Sequence, residues 1–126
     1  MNSGLRATVH HVDALPTDQF IGQVELAIYG LPARLREVMD NVIISVEDVH
    51  ADEPDLLGLY EGTPLTEREA YGLMELPDSI TIYRLPLCEM CRDIDELISE
   101  IQITVVHEVA HHFGIDDDRL HELGWG

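Results

Sequence analysis

The sequence predicts an α+β domain, and three observations carry that prediction. Residues 93–113 form the longest stretch of helical periodicity, three short segments rich in β-branched or aromatic residues precede it, and two helical arms open the chain. With 126 residues the chain suits one domain spanning 1–126, because domains cluster near ~100–150 residues. One fold must then hold both the core and the site.

Thr17 and Asp18 offer capping oxygens, and Phe20, Ile21, Val24, Leu26, Ala27 and Ile28 recur at helical spacing, so a first helix is expected over residues 17–29. Gly30 stops it. Pro32 then starts a short amphipathic helix over 33–39, in which Leu35, Val38 and Met39 share a face. Ile43, Ile44, Val46 and Val49 make residues 42–49 a partly buried strand, opened by Asn41. Residues 50–55, acidic and containing Pro54, are a loop; 56–61 and 79–85 read as further strands. Between them, residues 63–78 hold Pro64, Gly72 and Pro77 and form a turn-rich excursion that could flank a cleft. Across 93–113, Ile94, Leu97, Ile98, Ile101, Val105, Val109 and Ala110 lie on one broad apolar arc, and Gly114 ends the helix. Residues 116–123 can add one or two turns.

Seven arginines, no lysine and 25 acidic residues give a net charge of −18. That field repels a polyanionic backbone, so nucleic-acid binding is not expected. No stretch approaches the ~18–20 apolar residues of a membrane span, and the N-terminus carries no apolar run of signal length. A soluble, cytoplasmic protein without membrane partners is the expectation. Cys88 and Cys91 are too few for a disulfide framework and show no second pair for a structural metal site, so both read as reduced, partly buried side chains. His10 and His11 read as a solvated pair, and the Asp116, Asp117, Asp118 run lacks the alternating acids of a calcium loop.

His107, Glu108 and His111 spell H-E-x-x-H within the long helix. Four-residue spacing stacks both imidazoles on one helical face, where they can reach one metal ion. Zinc suits neutral imidazole, and a catalytic zinc site needs a third protein ligand and an open position. Gly114 lets the chain turn back, which brings Asp117 within reach as the first choice for third ligand and His121 as the second. Asp116 and Asp118 flank Asp117, so spacing alone leaves four oxygen or nitrogen donors within reach. Glu108 lies about 100° around the helix from His107, outside the ligand set but close enough to act as general base toward a metal-activated water. The bland alternative makes His107 and Glu108 solvated and His111 a hydrogen-bonded core histidine.

The string His107-Glu108-Val109-Ala110-His111-His112-Phe113-Gly114-Ile115-Asp116-Asp117 resembles H-E-x-x-H-x-x-G-x-x-D, the signature of small bacterial zincin-like metallopeptidases, the minimal zincins. The resemblance extends through residues 118–125 and, more weakly, back through residues 80–84 to the N-terminal half. It implies a compact zincin-like fold, a small mixed sheet packed against the motif helix. It also implies His107, His111 and Asp117 as ligands of one Zn2+, Glu108 as base, and hydrolysis of a peptide or protein substrate. Metzincins carry a methionine turn beyond the third ligand, and no Met follows Asp117 here. So short a chain is expected to form a shallow cleft, which a second copy or a partner could complete. Zincin substrates add as an antiparallel strand beside the metal, and by resemblance residues 79–85 are the candidate edge. Tyr71, Tyr83, Arg119 and His121 have the chemistry to hydrogen-bond a developing charge.

Two other functions compete. Ribosomal-RNA maturation endonucleases resemble H-x-x-x-H-x-x-x-x-x-H, but they place Gly where this chain has Glu108. A non-catalytic zinc-binding interaction module would need His107 and His111 but not Glu108.

Overall fold

The computed structural model describes residues 14–37, 39, 41–62, 78–115 and 118. Helix α1 spans Thr17–Tyr29 and a short α2 spans Ala33–Glu37. Strands β1 (Val42–Glu47) and β2 (Gly58–Glu61) follow, then β3 (Asp78–Tyr83), α3 (Arg84–Met90) and the long α4 (Ile94–His112). The α+β expectation holds, with helices around one small mixed sheet.

The three strands are ordered β1-β3-β2. β1 runs parallel to β3, pairing Ile44 with Ile80 and Val46 with Ile82, whereas β2 runs antiparallel to it, pairing Gly58 with Ile82 and Tyr60 with Ile80. Five of the six β3 residues are buried, as befits a strand covered on both faces and paired on both sides. The expectation that residues 79–85 form an exposed edge is therefore wrong. Both neighbours of β3 satisfy its backbone, and among the described residues β1 and β2 are the outer strands.

The expected strand also ran too far. Pairing stops at Tyr83, and the chain enters α3, which was not anticipated. Pro86 looks like a strand boundary in the sequence, yet it occupies the first turn of α3, where an absent N–H costs no helical hydrogen bond. Arg84 holds this junction in place. Its Nε lies 3.0 Å from Oδ1 of Asp48, and its Nη1 donates to the carbonyl of Leu15 at 2.8 Å.

Helix α4 starts with Asp93 as its cap, accepting from the amide of Glu96 at 2.8 Å. Its far end closes with Ile115 N donating to Ala110 O and Gly114 N to His111 O, both at 2.9 Å. This paired closure needs a left-handed residue, and Gly114 supplies φ 78°. Leu97, Ile101, Val105 and Val109 of α4 meet Phe20 and Val24 of α1, Ile80 and Ile82 of β3 and Leu87 of α3, forming one core. Each such side chain contributes roughly 1.5–3 kcal/mol on burial. Cys88 and Cys91 belong to this core and are unbridged, so they are more fully buried than expected.

Candidate metal centre on helix α4

The buried stripe of α4 includes Leu97, Ile101, Thr104, Val105, Glu108, Val109 and His112. Spacings of three and four residues mark the face turned to the sheet and α1. Apart from Thr104 the stripe is apolar up to Glu108, and Glu108 and His112 bring buried polar side chains to the far end of the helix.

Glu108 is 7% exposed. It can lie so close to the sheet because Gly58 stands beneath it. A Cβ at residue 58 would come within 3.0 Å of Glu108 Cγ and 2.9 Å of Thr104 Cγ2. The first residue of β2 is thus the floor on which the proposed base rests. Oε1 of Glu108 lies 3.3 Å from Nδ1 of His111.

His107 and His111 sit on the flank of the stripe, half-buried. Their ring centroids are 5.6 Å apart with the planes at 87°, so the two imidazoles face one region from successive turns. Two neutral imidazoles at that spacing, beside a carboxylate held by the sheet, are a donor set suited to zinc. Among the described residues no group of three metal-ligating side chains forms. Asp117, the first choice for third ligand, lies outside the described residues, as do Asp116, His121, Arg119, Tyr71, His10, His11 and residues 63–77.

Tyr83 is described and is buried. Its phenol is held protonated above the usual range, first by burial, then by the fields of Glu47 and Glu61, with a smaller contribution from Glu108. A neutral phenol can only donate or accept a hydrogen bond there, not carry charge.

One residue escaped the sequence reading. His112 is 2% exposed, and its Nδ1 lies 2.7 Å from Oδ2 of Asp78. The buried histidine of the motif is therefore His112, not His111. The signal was present in the sequence, because His112 lies four residues after Glu108 and continues the stripe Leu97, Ile101, Val105, Glu108.

A helix bearing H-E-x-x-H across a small mixed sheet is the zincin arrangement. The chain matches the family of zincin-like metallopeptidases over residues 39–125, more than half of its length, and it belongs to that family. No curated protein matches it. Among the described residues no helix is long and apolar enough to cross a membrane.

Proposed function

We propose that this protein is a zinc-dependent peptidase in which His107, His111 and Asp117 hold one Zn2+ and Glu108 is the general base. The observation that carries the reading is the seating of Glu108. A carboxylate withdrawn from water at the helix–sheet interface, beside a ligand histidine, is poorly explained as surface charge and well explained as a fixed proton acceptor. Membership in the zincin-like metallopeptidase family supports the reaction class.

Held by these ligands, zinc would supply Lewis-acid polarisation of the scissile carbonyl and lower the pKa of water towards ~7. Glu108 takes the proton of the attacking water and delivers it to the leaving amine. The floor at Gly58 limits the travel of that carboxylate between the two transfers. Strand β2 begins at this floor, so it replaces residues 79–85 as the edge beside which an extended peptide would align.

Metal analysis of the purified protein, joined to a peptide-library cleavage assay on wild type and Glu108→Gln, tests this. Zinc near one equivalent is expected in both proteins, with cleavage falling by about 10²–10⁴-fold in the variant. Stoichiometric zinc with no cleavage by wild type would make the protein a zinc-binding interaction module instead. Absence of zinc at neutral pH would reject both readings.

A further inference from the structure

A second polar group lies at the same helix–sheet interface, one turn beyond Glu108, and takes no part in the chemistry above. Asp78 opens β3 and is 2% exposed. Its Oδ2 accepts from the hydroxyl of Tyr60 on β2 at 2.5 Å and pairs with Nδ1 of His112 on α4 at 2.7 Å. With Asp78 as carboxylate, Oδ2 accepts both bonds and the matching tautomer of His112 has its proton on Nδ1. The Tyr60 ring meets the His112 ring edge to face at a centroid distance of 5.9 Å, and the Phe113 ring meets it edge to face at 5.3 Å.

Two further observations show that this group is built for one arrangement. Gly62, just after β2, has φ 152°, and a Cβ there would collide with the Asp78 carboxylate. Nε2 of His112 is buried and, among the described residues, has no hydrogen-bond partner. A ring nitrogen left unpaired in the interior is costly, so the bond to Asp78 is what offsets the burial of this imidazole. The stripe residues Val105 and Val109 hold α4 to the core by apolar packing. The hydrogen bond to Asp78 adds a directional restraint on its last turn.

We propose that Asp78, acting through His112, is a positioning residue that locks the last turn of α4 to the sheet and thereby sets His111 and the Gly114 turn leading to Asp117. The proposal rests on the zincin reading for its purpose, since a ligand set must be held within about 0.5 Å and 10–20° to bind its metal well. His111 is the neighbour of His112 in sequence, so rotation of one about the helix axis carries the other with it. Tyr60 completes the strut by fixing the carboxylate from the β2 side.

The test compares His112→Leu, which removes the donor, with His112→Asn, whose amide N–H falls near the position of Nδ1. In metal-free protein, amide hydrogen exchange at residues 113–115 is expected to rise at least ~10-fold in His112→Leu while Leu97 and Ile101 keep their protection. Zinc affinity, measured by chelator competition, is expected to fall by about 10-fold or more, and the visible spectrum of the cobalt-substituted protein to change. His112→Asn should recover most of each effect. If His112→Leu does not fold, His112→Gln is read in its place, because its amide reaches the Nε2 position and not Nδ1. Exchange and affinity within about twofold of wild type in the donor-deleted variant, or no recovery with Asn, overturns the proposal. A wild type that takes up no zinc defeats the peptidase reading alone, and the exchange comparison still decides the strut.

Discussion

His111 and His112 are adjacent in the chain and opposite in surroundings. The side chain of His111 is 36% exposed and lies beside Glu108, whereas that of His112 is 3% exposed and is bound to Asp78. The same contrast separates the outer pair, His107 and His111, from the inner pair, Glu108 and His112. Each pair has four-residue spacing, yet one faces a region where a ligand can arrive and the other faces the sheet. Side-chain chemistry alone does not assign a histidine its task. Its angle about the helix axis, relative to the apolar stripe, does so.

The sharpest way to break this comparison is to remove Asp78. Asp78→Ala leaves the buried His112 Nδ1 without its acceptor and removes one hydrogen bond from the half-buried Tyr60 hydroxyl, and a loss of about 2–3 kcal/mol in urea unfolding of metal-free protein is expected. His107→Ala on the outer flank should change that stability by no more than about 0.5 kcal/mol. Equal losses would show that both pairs serve the fold alike.

Gly58→Ala probes the floor under the inner pair. The added methyl group meets Thr104 and Glu108 at close range, so a cost of about 1–3 kcal/mol in chemical denaturation is expected. Peptide cleavage should fall with it, because the carboxylate can no longer rest where it does. A stable variant with unchanged cleavage would mean that Glu108 has more freedom than the close approach implies.

A smaller effect comes from the core at the end of α3. There burial raises the Cys91 thiol pKa from 9.0 to about 11, with Glu96 and Glu100 adding to the rise. The folded state therefore holds this proton more tightly than the unfolded chain. Its contribution to stability is complete below about pH 9 and is lost as pH climbs towards 11. Urea midpoints followed from pH 8 to 11 should decline more steeply in wild type than in Cys91→Ala. Parallel curves would place the thiol in contact with water.

Much of the frame was legible because local rules govern it. Residues 17–29 form α1 as periodicity predicts, and Gly114 ends α4 with the left-handed turn expected of it. The motif His107, Glu108 and His111 was equally plain, since a helix places residues four apart on one face whatever surrounds it. Helix α3 was missed because a proline near Leu85 and Leu87 reads as a break unless the helix start is known. The place of β3 was missed for a different reason. Its alternation of Ile80, Thr81, Ile82 and Tyr83 describes a strand but does not count its neighbours.

The sequence by itself determined the elements, the −18 charge and the spacing of the histidine pair, all of which depend on neighbours within a few residues. Only the tertiary structure decided that β3 is central, that Glu108 rests on Gly58 and that Asp78 meets His112 across 34 residues of chain. Those outcomes depend on which distant surfaces the core brings together, and burial then converts a surface carboxylate or imidazole into one that must find a partner.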